Sequence, residues 1–285
     1  SVKESDLLLV VGARLGEMTT SGYSTIKVTQ KNKIIHIYPD KKELGKVFTP
    51  ILGIKANSNI FSSSIKNKII NNTSWVKWAE DCRKNYIIYS SPPKYLTEPD
   101  MGNIMVTLRE KMPSNTIITI DAGNFSGWPQ RFWKYTLPKT QLAPTSGAMG
   151  YSIPAAVSAK IARKNSPVIA FCGDGGFMMS SQELATCHQY NIKPIIIIIN
   201  NKMLGTIRMH QEKHYPKRTI STDLINPDFK LLCKGYHAHY ENVKHSKKFS
   251  SALDRCLNSN KASVIEIEID PKQITTRQRM EELNN

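Results

Sequence analysis

The sequence has no apolar run that approaches the roughly 20 residues a membrane-spanning helix requires. Its five cysteines are scattered, and none forms the Cys-x-x-Cys spacing of a zinc or redox site. An odd, scattered set of cysteines favours reduced thiols in the cytoplasm. These deficits predict a cytoplasmic protein that neither crosses a membrane nor depends on disulfide bonds.

Acidic residues are also few. The sequence has 23 aspartates and glutamates against 39 lysines and arginines, which gives a formal net charge of +16. Nucleic-acid binding is one function that such an excess can indicate. Here the lysines are scattered and no nucleic-acid motif accompanies them. We therefore predict no nucleic-acid partner, and a solvated basic surface that helps to attract anionic ligands.

Two short apolar runs, 168–172 and 195–199, are rich in branched residues and are bounded by proline and polar residues. This pattern is typical of buried parallel β-strands. Between them, Ser180 and Glu183 form the Ser-x-x-Glu pattern of a capping box and predict a helix that runs toward Tyr190. The stretch therefore predicts a strand, a glycine-rich turn, a helix and a second strand.

Polar residues follow both predicted strands. The first strand ends in Gly173-Asp174-Gly175-Gly176 and the second in Asn200-Asn201. In an open parallel sheet, ligands bind beyond the carboxyl ends of the strands. Carboxylate and amide oxygens suit Mg²⁺, which often shares its coordination with a phosphate, and glycines let backbone N–H groups approach that phosphate. The residues therefore predict a diphosphate that is bound through Mg²⁺.

This stretch resembles the cofactor motif of thiamine diphosphate enzymes, in which Gly-Asp-Gly is followed after about two dozen residues by Asn-Asn. Here 24 residues lie between Gly175 and Asn200, and the neighbouring sequence is most similar to the acetolactate synthase branch. The resemblance implies three Mg²⁺ ligands, which are the side chains of Asp174 and Asn201 and the carbonyl of Met203. It also implies cofactor contacts along the same loops, at Gly173, Gly175, Gly176, Leu204 and Gly205. The alternative is a glycine-rich turn in an unrelated α/β protein.

The resemblance assigns two earlier turns to the same cofactor. Gly123 and Asn124 follow a predicted strand at 116–120 and would help to hold the diphosphate, although an Asx-type turn is the alternative. Met149 would prop the cofactor in its bent form, and the backbone of Gly147 and Met149 would bind its aminopyrimidine ring. On periodicity alone, Met149 would instead be a core residue that fills a gap.

The segment after Asn201 is similar to a family helix that lies beside the substrate. Acetolactate synthases typically carry a tryptophan where this chain has His210. The difference predicts a more polar pocket, in which Arg208 or His210 meets a substrate carboxylate or takes part in proton transfer. The alternative is that both residues lie on the surface of a helix.

Residues 1–72 are predicted to form part of a first α/β domain, with strands at 6–11 and 33–38 and a helix that starts near Glu43. The phrase Leu-Val-Val-Gly-Ala-Arg-Leu-Gly resembles the middle domain of the same enzymes. That domain binds FAD in acetolactate synthases and is a structural spacer in most relatives; we favour the spacer. Residues 73–99 are predicted to form a linker.

Residues 100–285 are predicted to form the cofactor domain, with helices at 101–111 and 249–257 and a last strand at 263–270. Because that strand alternates isoleucine and glutamate, we expect one of its faces to lie in water. The predicted fold class is therefore α/β, with two Rossmann-like, three-layer domains built on parallel sheets.

The resemblance implies an enzyme that uses thiamine diphosphate and Mg²⁺ to decarboxylate a 2-oxoacid, to join two such substrates, or both. It implies a dimer or tetramer in which a neighbouring subunit's N-terminal domain supplies an activating glutamate. The sequence lacks such a domain, so we expect a fragment that is inactive alone. The alternatives are a decarboxylase of the benzoylformate or pyruvate decarboxylase type, a non-catalytic nucleotide-binding α/β protein, and a nicotinamide-dependent dehydrogenase.

Overall fold

The computed structural model describes residues 2–26, 33–68 and 74–283. The chain divides into two compact units, Ser1–Tyr86 and Ile87–Asn285. The predicted domain boundary at residue 72 lies outside the described residues. Within those residues, no helix is both long and apolar enough to cross a membrane.

The first unit contains a three-stranded parallel sheet whose strands lie in sequence order, β1 (Leu8–Val11), β2 (Ile34–Tyr38) and β3 (Leu52–Lys55). β1 and β2 fall within the two segments predicted as strands. Helix α1 (Ser58–Ile65) follows β3, and the boundary between the units falls within helix α2 (Val76–Ser90). The small core of this unit is formed by Val10, Leu15, Ile26, Ile34 and Phe48.

The helix predicted to start near Glu43 is wrong, because residues 41–45 form turns. The Asp40 carboxylate accepts a hydrogen bond from the Lys42 N–H at 2.9 Å, and Gly45 has a φ of +81°. An aspartate that binds the backbone two residues further on favours a turn over a helix. The hydrogen bond between Asp40 and the Lys42 N–H therefore stabilises a turn where the sequence pattern predicted a helix.

The second unit is built on a six-stranded sheet in the order β5-β4-β6-β7-β9-β8. Its strands are β4 (Ile117–Ile120), β5 (Gln141–Leu142), β6 (Val168–Gly173), β7 (Ile195–Asn200), β8 (His239–Val243) and β9 (Ser263–Glu268). Its helices include α3 (Met101–Lys111), α4 (Gly127–Phe132), α5 (Ser152–Ala162), α6 (Asp174–Ser180), α7 (Glu183–Gln189), α8 (Gly205–His214), α9 (Phe229–Gly235) and α10 (Ser246–Asn258).

All neighbouring strands of this sheet pair in parallel, and Gly173 at the end of β6 lies opposite Ile199 of β7. The chain passes from β4 outward to β5, and then returns to build β6 and β7 on the other side of β4. Such a reversal of direction opens a crevice at the carboxyl ends of the strands. The topology therefore provides a place for a ligand where the polar strand ends meet.

Successive residues of the central strands point to opposite faces of the sheet. One face, which includes Phe171 and Ile197, packs against α3, α4 and α10. The other face, which includes Ala170 and Ile196, packs against α5, α7 and α9. Helices on both faces explain why the central strands are apolar throughout. The predicted α/β fold class with parallel sheets is confirmed.

The helix predicted to run toward Tyr190 is present as α7, but its predicted start at Ser180 is wrong, and a second helix, α6, precedes it. Helix α6 begins at Asp174, directly after β6, and ends at Ser180. Helix α7 begins at Glu183 with Gln182 at its N-cap and without a side-chain capping bond. Ser180 Oγ is buried and has no hydrogen-bond partner among the described residues. The chain therefore passes directly from β6 into α6, and Ser180 does not cap a helix.

The water-facing side predicted for the last strand is also wrong. β9 lies between β7 and β8, and Glu266 is only 7% exposed. The Asn200 amide donates a hydrogen bond to Glu266 Oε1 at 2.6 Å, and the Tyr240 hydroxyl donates to Oε2. The glutamate of the alternating pattern therefore belongs to a buried polar network.

Candidate active site

A cleft opens at the carboxyl ends of the central strands of the second unit. The loops that follow β4, β6, β7 and β9 line it. Eleven of the residues predicted to bind cofactor or metal line this cleft: Gly123, Asn124, Met149, Gly173, Asp174, Gly175, Gly176, Asn201, Met203, Leu204 and Gly205.

Asp174 follows β6 directly and is 1% exposed. Burial raises the pKa of its carboxyl group, while hydrogen bonds from Asn226 and from backbone N–H groups act in the opposite direction. The Asn226 amide donates to Asp174 Oδ2 at 2.7 Å. Asp174 forms no ion pair with a basic side chain of the described residues. A nearby positive charge stabilises the ionised form of a buried carboxylate, so a metal cation fits this position beside Asn201.

The two asparagines after Ile199 have different surroundings. Asn200 is 4% exposed, its Nδ2 donates to Glu266, and its Oδ1 accepts from the Asn226 amide at 3.1 Å. Asn201 lines the cleft, and its Oδ1 accepts a hydrogen bond from the Met203 N–H at 3.2 Å. Asn200 therefore anchors the end of the strand, and Asn201 is the one that faces the ligand space.

Glycine at position 205 allows helix α8 to begin close to Asn201. A Cβ at this position would lie 2.9 Å from Asn201 Nδ2. Such a distance is shorter than ordinary van der Waals contact, so any other residue would displace the asparagine side chain. The glycine in the Leu-Gly pair after the two asparagines therefore has a steric role in the cleft.

Asp121 follows β4 and anchors the turn that carries Met149. Its Oδ2 and Oδ1 accept hydrogen bonds from the N–H groups of Gly150 and Tyr151, each at 2.9 Å. The Asp121 carboxylate is buried, and a Cβ on Gly176 would overlap its Oδ2. One buried carboxylate thus fixes the Met149 turn against the start of helix α6.

The loop after β4 is joined to helix α8 by a reciprocal pair of hydrogen bonds. Thr206 Oγ1 accepts from the Asn124 N–H at 2.9 Å and donates to Asn124 Oδ1 at 3.0 Å. The ring of Phe125 covers Gly173, where a Cβ would lie 3.2 Å from the ring. The loops after β4, β6 and β7 are therefore in direct contact around the cleft.

Three predicted site residues, Gly147, Arg208 and His210, do not line the cleft. Arg208 donates to Thr222 Oγ1 at 2.6 Å and pairs with Asp223 Oδ1 at 2.5 Å, so its charge is already matched. His210 lies in a shallow depression of α8, with its ring parallel to that of His214 and the ring centres 6.1 Å apart.

Several residues of the site were not singled out from the sequence: Asp121, Phe125, Thr206, Asn226, Gln273 and Ile274. The position of Asp121 directly after a predicted strand was a usable signal. Asn226 lies 52 positions from Asp174 in a polar stretch, and no local pattern marks it. Gln273 and Ile274 reach the cleft from the tail beyond β9, where the sequence shows no motif.

The described residues contain no cluster of three or more histidine, cysteine, aspartate or glutamate side chains suited to a metal ion. The oxygen donors at the cleft are the carboxylate of Asp174, the side-chain amide of Asn201 and the backbone carbonyl of Met203. Such hard oxygen donors suit Mg²⁺ when phosphate oxygens complete its coordination. The residues present therefore fit a Mg²⁺ that is shared with a bound phosphate group.

The fold and the cleft define an α/β protein with a ligand site at the carboxyl edge of a parallel sheet. The chain belongs to the thiamine pyrophosphate enzyme family. Residues 121–267 match the family model described as the C-terminal TPP binding domain, and residues 1–64 match the one described as the central domain. The first match contains the loops after β4, β6 and β7, so the resemblance seen in the sequence motif is confirmed.

The chain is similar to proteins named acetolactate synthase large subunits. It is 28% identical over 273 residues to isozyme 2 of Escherichia coli K12, an alignment that covers 95% of this chain and 49% of the relative. It is 30% and 31% identical to probable large subunits of Methanocaldococcus jannaschii and Methanococcus aeolicus, over 96% and 95% of this chain and 48% of each relative. The chain thus spans about half the length of the curated relatives it matches.

Proposed function

We propose that this chain forms the central and cofactor-binding parts of an enzyme that uses thiamine diphosphate and Mg²⁺ to convert a 2-oxoacid, with acetolactate formation as its reaction. One observation carries the proposal. Asp174 is buried without an ion-pair partner among the described residues, and it shares a cleft with Asn201 at the edge of the sheet. The names of the relatives supply the reaction type.

Bound thiamine diphosphate would supply the nucleophilic carbon for a 2-oxoacid carbonyl and the ring that accepts the electron pair left by CO₂. Asp174, Asn201 and the Met203 carbonyl would hold Mg²⁺, which anchors the diphosphate. The glycine-rich loops after β4 and β6 would face the phosphate oxygens with backbone N–H groups. The metal therefore has a binding role in this proposal.

The side chains around the metal position would hold the cofactor in one conformation. Met149 lines the cleft beside Gly175 and would support the cofactor there, with its backbone offered to the pyrimidine ring. Leu204 and Ile274 would exclude water from the same space. A dry site strengthens each electrostatic contact within it.

We further propose that the functional protein is a homo-oligomer in the cytoplasm, in which a neighbouring subunit's N-terminal domain supplies an activating glutamate. The domain division at 1–72, 73–99 and 100–285 is part of the same proposal. We propose the first domain as a spacer without FAD. The His36 side chain is buried and donates a hydrogen bond to the Ala13 carbonyl at 2.9 Å, which joins β2 to the turn after β1.

The test is NMR of pyruvate turnover by the full-length natural protein that carries this chain, with thiamine diphosphate and Mg²⁺. We expect acetolactate from the wild type and none from Asp174→Ala. The matched control is Asp254→Ala, which removes an exposed carboxylate that pairs with Lys111 far from the cleft. Acetaldehyde as the sole product would replace our proposal with the decarboxylase alternative. Absence of Mg²⁺-dependent thiamine diphosphate binding would overturn the cofactor assignment itself.

A further inference from the structure

A short segment, residues 222–226, crosses the loop that follows β7; we refer to it as the strap. The Leu204 N–H donates to the Thr222 carbonyl at 2.8 Å, and the Leu224 N–H donates to the Lys202 carbonyl at 2.9 Å. Between these bonds, Met203 pairs with Asp223 as an antiparallel bridge. The strap is therefore hydrogen-bonded to the same loop that carries the proposed metal ligands Asn201 and Met203.

Helix α8 holds the strap from the other side. Arg208 reaches from α8 to the Thr222 hydroxyl at 2.6 Å and to the Asp223 carboxylate at 2.5 Å. Leu224 packs at the cleft, where a Cβ on Gly175 would lie 3.3 Å from its side chain. With backbone bonds on one side and a paired arginine on the other, the strap has a defined position relative to the loop after β6.

The strap brings Asn226 to the metal position. Asn226 Nδ2 donates to Asp174 Oδ2 at 2.7 Å and to Asn200 Oδ1 at 3.1 Å. The Asn200 side chain is held in turn by Glu266, whose carboxylate also accepts from Tyr240. The amide of one half-buried asparagine thus connects the proposed metal ligand on β6 to the strand end of β7.

We propose that Asn226 is a positioning residue for the metal site, which orients the Asp174 carboxylate for Mg²⁺. This inference rests on the proposed function. A ligand carboxylate that can rotate freely loses entropy on metal binding, whereas one that is already held by a hydrogen bond does not. Partners that orient metal ligands in this way typically change metal affinity by about 10–100-fold when they are removed. Asn226 therefore sets how tightly the site holds its metal and, through it, the diphosphate.

A purely structural role for Asn226 predicts a different result. If it only fixed the strap, its loss would lower the stability of the fold and leave the intrinsic metal affinity unchanged. The backbone bonds between the strap and the loop, and the contacts of the strap with Arg208, do not involve Asn226, so we expect the fold to survive the substitution. Metal affinity and stability can therefore be measured separately.

The experiment measures Mn²⁺ binding by electron paramagnetic resonance in the full-length protein with thiamine diphosphate present. Asn226→Leu keeps the approximate volume and removes the amide, and we expect it to weaken Mn²⁺ binding by about 10–100-fold. Asn226→Gln keeps a donor and should lie closer to wild type.

The matched control is Asn260→Leu, which removes an exposed amide that binds Lys193 at the opposite end of the sheet. It should leave Mn²⁺ affinity unchanged. Equal Mn²⁺ affinities for Asn226→Leu and Asn260→Leu would overturn the positioning role, even if Asn226→Leu is less stable. If wild-type protein shows no metal-dependent binding of thiamine diphosphate, the proposed function fails first, and this inference fails with it.

Discussion

Gly176 occupies a position at which no side chain fits, and Gly176→Ala is the sharpest test of how the cleft is built. A Cβ there would overlap Oδ2 of Asp121. That oxygen accepts a hydrogen bond from the Gly150 N–H, and Oδ1 of the same carboxylate accepts one from the Tyr151 N–H. The carboxylate can move only by giving up one or both bonds, and a hydrogen bond to a charged group contributes about 1.5–3 kcal/mol. We therefore expect the free energy of unfolding to fall by about 2–4 kcal/mol, measured by urea unfolding of the full-length protein.

The control is Gly235→Ala at the end of α9, where a Cβ meets no heavy atom within 4 Å. This variant should match the wild type or gain up to about 1 kcal/mol, because alanine restricts the unfolded chain. Hydrogen exchange provides the specific readout, since the amides of Gly150 and Tyr151 should exchange faster in Gly176→Ala. Equal unfolding free energies for the two variants, or unchanged exchange at both amides, would refute the anchoring role of Asp121.

Three further predictions concern groups outside the cleft. Glu266→Ala should lower the free energy of unfolding by about 2–4 kcal/mol in urea titrations, because it removes the acceptor of one buried donor, on Asn200, and of one half-buried donor, on Tyr240. Glu268→Ala, at a half-buried position, should lower the free energy of unfolding far less. Equal losses for the two variants would contradict the role of Glu266 as an acceptor for Asn200 and Tyr240. Alkylation at pH 8 with peptide mass mapping should label Cys82 before the buried thiols, because burial raises the pKa to about 12 at Cys187, Cys233 and Cys256. The Arg255 guanidinium holds the pKa of Glu241 below its ordinary 4.5, so the stability that this pair contributes is present above pH 4.5 and is lost as the pH falls further. Urea unfolding at pH 6 and pH 3.5 should therefore show a smaller acid-induced loss in Arg255→Gln, and an identical loss would argue against the pair.

Strands that are buried on both faces could be predicted closely from the sequence. Branched apolar runs between polar ends have few other interpretations, and β6 and β7 lie where those runs predicted them. Because parallel strands end at the same edge of a sheet, the polar residues after neighbouring strands must meet there. Asp174 and Asn201 could therefore be assigned to one site before the order of the strands was known.

Contacts between distant segments could not be predicted in this way. The alternation of isoleucine and glutamate in β9 fits two structures equally well. One is a strand with one face in water, and the other is a buried strand whose glutamate is hydrogen-bonded to polar partners. The order of the sheet decides between these cases, and that order depends on packing of the whole unit. Asn226 was missed for the same reason, because its importance lies in a contact with Asp174 across 52 positions.

The Asn200-Asn201 pair shows why a site of this kind needs an outer layer of polar residues. Neighbouring residues at a strand end point in opposite directions, so only one of two adjacent asparagines can face the ligand space. The other is buried, and a buried amide must have hydrogen-bond partners for both its oxygen and its nitrogen. Glu266 accepts from that nitrogen, and Asn226 donates to that oxygen. Because Asn226 also donates to Asp174, one of the two partners that satisfy the buried asparagine is the residue that we propose orients the metal ligand.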